Sequence, residues 1–260
     1  MKYILAIAGS DSCGGAGVQS DVKTITGLGA HALTAITAVT AQNSLGITAI
    51  HRIPARFLSR QIESIVADVA PDATKIGMLG TGANIRAVAR LIRRYNLSPV
   101  VLDPVLRAST GSNLLQSDAV FVLKSELLPL VSVVTPNLEE AEVLTGLKVH
   151  NPEEMEKASR AIKAMGPDVV LTGGHLQGDV EDLVYDGKAV HHIRGSRIRT
   201  AHTHGTGCVF SSAMATFLAM GYDVPRAARR AQEFTRKAIE GSYPCGRGAG
   251  PVNPAHGSNG

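Results

Sequence analysis

The sequence has few of the side chains that nucleic-acid-binding proteins use. Among its 260 residues there is no tryptophan, and aromatic residues make up 4%, which leaves few platforms on which bases could stack. The formal net charge is +4, and no run of basic residues is longer than two, as at Arg229-Arg230. Positive charge scattered in this way is typical of a solvated surface. We therefore expect no nucleic-acid partner.

Cysteines and long apolar runs are also scarce. The three cysteines, Cys13, Cys208 and Cys245, have neither the number nor the spacing of a disulfide framework or a zinc site. This usage suits a reducing compartment. The first apolar run, residues 3–8, is too short for a membrane span or for the apolar core of a signal peptide. We therefore expect a cytoplasmic protein that does not enter a membrane.

Two kinds of apolar segment alternate along the chain. Short continuous apolar runs are typical of strands buried on both faces of a parallel sheet, and they predict strands at 3–8, 33–39, 74–78, 100–102, 131–134 and 169–171. Apolar residues at helical spacing predict helices between them, including 54–69, 119–128, 138–144, 152–165, 208–220 and 224–241. An Asp-Gly pair predicts a hairpin over 183–190. The alternation predicts an α/β fold with a mostly parallel sheet.

No shift in composition marks a linker, so residues 1–243 are predicted to form one domain, followed by a Gly/Pro-rich tail at 244–260 whose last residues are loose. Ligands of open α/β sheets bind beyond the carboxyl ends of the strands. That rule places on one rim the residues Asp11, Gln42, Met78, Asp103, Asn137 and Gly173. The glycine-rich loop at 9–17 matches neither the dinucleotide nor the P-loop pattern, which disfavours a dinucleotide oxidoreductase.

A polar, glycine-rich turn runs into an apolar helix at residues 202–212. The free N–H groups and the dipole at such a helix start favour an anion. Gly205 and Gly207 would let the main chain approach a phosphate. Cys208 would lie in the first turn, where the same field lowers the pKa of a thiol. An ordinary glycine-rich helix start is the alternative.

Seven motifs in one order resemble the hydroxymethylpyrimidine and phosphomethylpyrimidine kinases of thiamine synthesis, members of the ribokinase-like superfamily. They extend from Ile7 to about Val252 and are Ala8-Gly9-Ser10-Asp11 with Gly14-Gly15-Ala16-Gly17-Val18-Gln19 and Asp21, Thr40-Ala41-Gln42-Asn43, Lys75-Ile76-Gly77-Met78, Leu102-Asp103-Pro104-Val105, Thr135-Pro136-Asn137 with Glu140-Ala141, Gly173-Gly174-His175, and Thr203-His204-Gly205-Thr206-Gly207-Cys208. The resemblance implies a three-layer αβα sandwich and favours a homodimer.

The resemblance also implies a reaction. ATP would phosphorylate the hydroxymethyl group of 4-amino-5-hydroxymethyl-2-methylpyrimidine, its monophosphate, or both in turn. Cys208 matches the family's base, and the N–H groups of Gly205, Thr206 and Gly207 would hold charge on the moving phosphoryl group. The positions that match the family's substrate contacts are Gly9, Asp21, Gln42, Met78 and Val105.

The phosphate and nucleotide positions implied in the same way are Asp103, Asn137, Glu140, Thr172 and Gly173. Asp103 and Glu140 would also bind Mg²⁺, which prefers few carboxylates with waters and phosphates. Simpler roles stay open: Gln42 could close a turn, Asp103 could cap a strand end, and Glu140 could serve a helix dipole. Met78 could fill the core. The histidines lack a completing ligand set, so a surface or loop position is favoured over a metal site.

Three family lysines are absent, with Thr172, Ser109 and Ala201 in their places. Arg107, Lys75 or Arg199 would have to compensate. A pyridoxal-type kinase is the alternative enzyme, because the superfamily also phosphorylates the hydroxymethyl group of pyridoxal. A non-catalytic pyrimidine sensor is the third interpretation, although the retained cysteine, glycines and carboxylates argue against it.

The hypothesis that Arg107 contacts the substrate phosphate predicts that the monophosphate is the better acceptor. Arg107→Ala should then lower kcat/KM for the monophosphate by about tenfold or more, because one charge-assisted contact is lost, and should affect the alcohol less. Steady-state kinetics on both acceptors measure this. Equal losses on the two acceptors would contradict the hypothesis.

Overall fold

The computed structural model describes residues 1–106, 114–116, 119–174 and 180–255. The strands in these ranges are β1 (Tyr3–Ser10), β2 (His31–Asn43), β3 (Gly46–Arg52), β4 (Ala73–Ile76), β5 (Val100–Leu102), β6 (Val133–Val134), β7 (Asp168–Leu171), β8 (Val180–Tyr185) and β9 (Val190–Gly195). The helices are α1 (Gly17–Gly27), α2 (Ala55–Val66), α3 (Gly82–Tyr95), α4 (Ala119–Val122), α5 (Leu138–Thr145), α6 (Pro152–Lys163), α7 (Thr206–Ala219) and α8 (Val224–Glu240).

The strands form one sheet in the order β3-β2-β1-β4-β5-β6-β7-β8-β9. The pairs from β2 through β7 are parallel, whereas β3, β8 and β9 each run antiparallel to their neighbours. The chain reverses its direction of travel across the sheet between β1 and β4. In open parallel sheets such a switch point is where ligands bind, so the topology locates the site at the carboxyl ends of β1 and β4.

Side chains of β1 show why the strand is apolar throughout. Leu5 and Ile7 join a core cluster with residues of α2, α3, α5 and α6, whereas Ile4 and Ala6 join a second cluster with residues of α1, α7 and α8. Because successive side chains of a strand point to opposite faces, both faces of the sheet are covered by helices. The predicted three-layer αβα sandwich with a mostly parallel sheet is confirmed.

Three local predictions differ from the structure. The strand predicted at 33–39 continues to Asn43, and β3 was not predicted, because its strand character comes from antiparallel pairing with β2. The continuous helix predicted at 119–128 is wrong. Only α4 is α-helical there, followed by a π-helical turn at Leu123–Leu127 and a 3₁₀ turn at Leu128–Leu130. Ser125 Oγ donates to the Phe121 carbonyl at 2.8 Å, a back-bond that disturbs a helix.

The beginning of the predicted tail lies against the domain. Val252 is buried with Val209 and Ala238, and the His204 N–H donates to the Gly250 carbonyl at 3.1 Å. Residues 256–260, which include the end predicted to be loose, lie outside the described residues. None of the helices in the described part of the chain is long and apolar enough to cross a bilayer.

A buried ion pair joins three elements beneath the switch point. Lys75 Nζ in β4 donates to Asp21 Oδ1 in α1 at 2.7 Å, and both side chains are 0% exposed. Ser212 Oγ in α7 donates to the same oxygen at 2.8 Å. Burial alone would lower the pKa of Lys75, but the Asp21 carboxylate and other nearby acidic groups raise it. The ammonium group is therefore charged and holds the two helices to the sheet.

Removing one partner of this pair should leave an uncompensated buried charge. We expect Lys75→Met and Asp21→Asn each to lower the free energy of unfolding by about 3–5 kcal/mol. The double variant should be destabilised by much less than the sum, because it leaves neither charge unpaired. Urea unfolding of the four proteins measures this, and strict additivity would contradict the pairing.

Candidate active site

A cavity of about 1220 Å³ opens at the carboxyl ends of the parallel strands. The predicted rim residues Asp11, Gln42, Met78, Asp103 and Asn137 all line it, together with Gly9, Val105, Glu140 and Thr172. Gly173 is buried beside it, and its N–H donates to Asp182 Oδ1 at 2.9 Å. The structure thus brings together residues from six strand ends.

The far end of the cavity was not predicted from the sequence. It is lined by residues of β8, of the segment after β9, and of α8, among them Asp182, Arg197 and Gln232. Gln232 Nε2 donates to Asp182 Oδ2 at 2.8 Å and to the Ile193 carbonyl at 3.0 Å, which fixes α8 against the β8–β9 hairpin. We call the part lined by Gln42 and Met78 the first compartment and the part lined by Asp182 and Gln232 the second; residues at the start of α7 line the same cavity.

Glycines at the start of α7 are required by packing between backbones. Gly205 caps α7 in the left-handed region at φ 87°, and an added Cβ would lie 1.9 Å from the Gly15 carbonyl oxygen. Gly17 has φ 58°, and its added Cβ would lie 2.3 Å from the Gly9 carbonyl oxygen. The sequence analysis assigned Gly205 to phosphate approach. In the structure its missing side chain also admits the loop between β1 and α1.

The first turn of α7 presents backbone donors to the cavity. Thr206 N–H donates to the Thr203 carbonyl at 3.3 Å. For the N–H groups of Gly205, Gly207 and Cys208, no backbone acceptor is found among the described residues. Unpaired N–H groups at the positive end of a helix form an anion site. Three of the four predicted donors are thus open to a phosphate.

Cys208 lies on this turn and lines the cavity, but its thiol is not activated as predicted. Desolvation by the surrounding protein and the Asp21 and Asp103 carboxylates outweigh Lys75 and raise the pKa of Cys208 to about 12. The Gly17 N–H donates to the sulfur. The prediction that the pKa of this thiol is lowered is therefore wrong, because burial and two nearby acids outweigh the field of the helix.

Asp103 and Glu140 form an acidic pair facing the cavity. Asp103 Oδ2 accepts from Ser211 Oγ at 3.2 Å. Glu140 forms a capping box with Asn137, in which the Asn137 N–H donates to Glu140 Oε2 at 3.0 Å and the Glu140 N–H donates to Asn137 Oδ1 at 2.9 Å. The first-turn role that the sequence left open for Glu140 is therefore filled, while the residue also lines the cavity.

The charges of this pair suit a divalent cation. Burial, and then the Asp103 carboxylate, raise the pKa of Glu140 to about 8, and burial also raises the pKa of Asp103. A cation between the two would relieve this repulsion. Within the described ranges no cluster of three or more His, Cys, Asp or Glu residues is placed to hold a metal. Mg²⁺ needs no such cage, because it keeps waters and phosphate ligands.

An apolar wall lies on the other side of Cys208. Met78, Ala38 and Leu114 form a small cluster against which Val105 and Ile47 pack. An added Cβ on Gly9 would lie 3.0 Å from Met78 Sδ, so Gly9 leaves room for this thioether. The expected substrate residue Asp21 does not line the cavity. Its side chain is 0% exposed and is paired with Lys75, which leaves no surface for a substrate contact.

The structure shows what surrounds two of the three positions at which family lysines are missing, Thr172 and Ala201. Thr172 Oγ1 donates to the Pro136 carbonyl at 3.4 Å and lines the cavity. Lys75 lines the cavity, but its ammonium group is buried and paired with Asp21, and Arg199 and Ala201 are exposed. Arg107 and Ser109 lie outside the described residues. The described guanidinium groups that line the cavity are those of Arg197 and Arg236.

Sequence reasoning missed the role of His204. Its side chain is 11% exposed, and Nε2 lies 2.9 Å from Asp11 Oδ2 and 3.4 Å from Gln42 Nε2. The expected loop histidine therefore lines the cavity beside Gln42. His204 and Asp11 are 193 positions apart in the sequence, which leaves no local signal for this pairing. Cys13 and Cys245, which had no assigned role, also meet in a side-chain contact.

Known proteins share this fold and sequence. The chain is 43% identical over 251 residues to the hydroxymethylpyrimidine/phosphomethylpyrimidine kinase of Streptomyces coelicolor, covering 96% of the chain and 93% of that protein. It is 45% identical over 252 residues to the thiamine biosynthesis bifunctional protein ThiED of Geobacter sulfurreducens, covering 96% of the chain but only 51% of that longer protein.

Solved structures of kinases have the same fold as this chain. An ADP complex of Bacillus subtilis pyridoxal kinase has a TM-score of 0.91 at 35% identity, covering 98% of both chains. The phosphomethylpyrimidine kinase of Clostridium difficile has a TM-score of 0.82 at 35% identity, covering 92% of this chain and all of that one (100%). The phosphomethylpyrimidine kinase family model matches residues 11–253. The chain therefore belongs to the phosphomethylpyrimidine kinase family.

Proposed function

We propose that this protein transfers the γ-phosphoryl group of ATP to 4-amino-5-hydroxymethyl-2-methylpyrimidine and to its monophosphate, for thiamine biosynthesis. One observation carries the proposal: a single cavity joins Gln42 and the apolar Met78 wall to Cys208 and the open N–H groups of α7. A flat heteroaromatic alcohol fits the first compartment, and a nucleotide fits the second. The names of the relatives support this assignment.

Each part of the reaction has a candidate group. The amide of Gln42 can both donate to a ring nitrogen and accept from an amino group, while Met78 and Val105 cover the ring. The N–H groups of Gly205, Gly207 and Cys208 would stabilise charge on the transferring phosphoryl group. Asn137 and Thr172 lie where the triphosphate would pass, and Arg197 and Arg236 offer cations further along.

Asp103 and Glu140 would hold Mg²⁺, which, when bound, neutralises charge on the phosphates. Without a cation, the two carboxylates repel each other and favour protonation. Asp103 and Glu140 would hold the cation close to the first turn of α7. Asp103 Oδ2 lies near this turn, since an added Cβ on Gly207 would be 3.7 Å from it.

Because the thiol of Cys208 is neutral, we expect the proton of the acceptor hydroxyl to move late in the reaction. Phosphoryl transfer through a loose transition state needs little early deprotonation of the attacking hydroxyl. A neutral thiol cannot take up a second proton. Cys208 would therefore accept a hydrogen bond from that hydroxyl, release its own proton to solvent, and as a thiolate take the hydroxyl proton late, as the new P–O bond forms. A neutral thiol also does not repel the incoming triphosphate, whereas a thiolate would.

A pyridoxal kinase is the second candidate. Staphylococcus aureus pyridoxal kinase bound to AMP-PCP and pyridoxal has a TM-score of 0.92 at 32% identity. Coupled assays with the aminopyrimidine alcohol, its monophosphate and pyridoxal separate the candidates. We expect the highest kcat/KM on the two pyrimidines. Preference for pyridoxal would support the second candidate, and turnover of none would support a sensor.

The family resemblance predicts a homodimer, and the cysteine usage predicts a cytoplasmic location. Sedimentation of the purified protein tests the assembly, since a monomer at micromolar concentration would contradict it.

Cys208→Ala should lower kcat by about 100-fold, the lower end of the range for a lost general base, and should change KM for the aminopyrimidine by less than about threefold, because the phosphate cradle is backbone. The matched control is Cys245→Ala, which removes a thiol that does not line the cavity and should keep normal kinetics. Full kcat in Cys208→Ala would contradict the assigned role.

A further inference from the structure

The Asp11 carboxylate is held in the charged form by a set of donors. Oδ1 accepts from the Cys13 N–H at 2.8 Å, and Oδ2 accepts from the N–H groups of Gly15 at 3.1 Å and Ala16 at 2.8 Å. Burial would raise the pKa of Asp11, but the hydrogen bonds from His204, Ala16 and Cys13 outweigh it and lower the pKa. An ionised carboxylate can only accept hydrogen bonds.

The proton of the Asp11–His204 contact must therefore belong to the imidazole. His204 Nε2 lies 2.9 Å from Asp11 Oδ2, and only an N–H at Nε2 makes that contact a hydrogen bond. Another polar group near this N–H, among the described residues, is the end of the Gln42 side chain, 3.4 Å away. An N–H facing an amide attracts its carbonyl oxygen and repels its NH₂ group.

A second contact selects the same orientation from the opposite side. Thr40 Oγ1 lies 2.9 Å from the Ser10 carbonyl oxygen and 3.2 Å from Gln42 Oε1. Its one hydroxyl proton goes to the nearer acceptor, the Ser10 carbonyl, so the hydroxyl can only accept from Gln42. A half-turn of the amide exchanges its O and N atoms. It then satisfies both neighbours, with NH₂ toward Thr40 and oxygen toward His204.

The backbone of Gln42 is fixed independently. Ser12 Oγ donates to the Gln42 carbonyl at 2.8 Å and accepts from the Gln42 N–H at 2.8 Å. These two hydrogen bonds fix the backbone from which the Gln42 side chain extends. The orientation of the terminal amide then decides which of its atoms meets each neighbour.

We propose that His204, anchored by Asp11, is a specificity-determining positioning residue that holds the Gln42 amide with its oxygen toward the imidazole and its NH₂ toward Thr40, so that the site accepts a ring nitrogen and an adjacent amino group in one order only. This deepens the proposed function and rests on it. The remaining amide N–H and oxygen lone pair meet the ring nitrogen and the amino group, respectively. Reversing the amide would turn the ring over and move its hydroxymethyl group away from Cys208.

Kinetics of His204→Phe and His204→Gln test the proposal, since glutamine keeps an N–H donor near Nε2 and phenylalanine removes it. We expect His204→Phe to lower kcat/KM for the aminopyrimidine alcohol by about tenfold, the value of one hydrogen bond at about 1.4 kcal/mol. It should affect pyridoxal much less, because pyridoxal has no amino group beside its ring nitrogen. His204→Gln should restore most of the loss, and KM for ATP should stay constant.

A double-variant cycle isolates the route through Gln42. In a Gln42→Leu background, His204→Phe should cause no further loss on the aminopyrimidine. Equal losses on both acceptors without rescue by glutamine, or a full additional loss in the Gln42→Leu background, would overturn the proposal. Thermal unfolding of each variant identifies any misfolded protein.

The orientation is also measurable without turnover. The ¹⁵N spectrum of histidine-labelled protein should show His204 protonated at Nε2 at neutral pH, and a proton on Nδ1 alone would overturn the amide order. If the wild-type protein has no activity on the aminopyrimidine, the proposed function fails, and the assigned ligand fails with it. The ¹⁵N signal of His204 does not depend on turnover, so it reports the direction of the hydrogen bonds separately.

Discussion

The site depends on one close approach of two backbone segments, at Gly15 and Gly205. A Cβ on Gly205 would lie 1.9 Å from the Gly15 carbonyl oxygen, and one on Gly15 would lie 2.4 Å from His204 Cδ2. Any larger side chain at either position would push the loop after β1 away from the start of α7. That separation would break the Asp11–His204 contact and remove the Gly17 N–H from the sulfur of Cys208. The glycines therefore assemble two compartments into one site.

The electrostatics of the site follow from how few positive charges lie beneath it. Among the described residues, the buried ammonium group is that of Lys75, and it is paired with Asp21, so Asp103 and Glu140 face the cavity with little compensation, and their pKa values are raised. Burial, together with the Asp21 and Asp103 carboxylates, also keeps Cys208 protonated. A site of this kind gains most from a cation that arrives with its substrate, as Mg²⁺ does with a nucleotide.

Much of the fold could be predicted from local patterns. Apolar runs such as that of β1 identify strands buried on both faces, and the strand-end rule predicts that Gln42, Met78 and Asp103 lie on one rim of the sheet. The family resemblance added roles that spacing could not supply. Edge strand β3 escaped prediction because it is stabilised by pairing with β2 rather than by its own apolar pattern.

The remaining features come from contacts between distant parts of the chain. The thiol of Cys208 was expected to be acidic from its place on a helix, but burial, together with Asp21 and Asp103 from other elements, raises its pKa. Asp21 matches a substrate position by motif, yet the packing of α1 buries it against Lys75. His204 has no completing ligand nearby in sequence, and its partner Asp11 comes from the opposite end of the chain.

The central claim is that the first turn of α7 holds the phosphoryl group between nucleotide and acceptor. A crystal structure with a non-hydrolysable ATP analogue, Mg²⁺ and the aminopyrimidine alcohol tests it most directly. We predict that oxygens of the γ-phosphate lie within hydrogen-bond distance of the N–H groups of Gly205, Gly207 and Cys208, with the acceptor hydroxyl beside the Cys208 sulfur. A γ-phosphate bound away from this turn, or an acceptor hydroxyl pointing away from the sulfur, would contradict it.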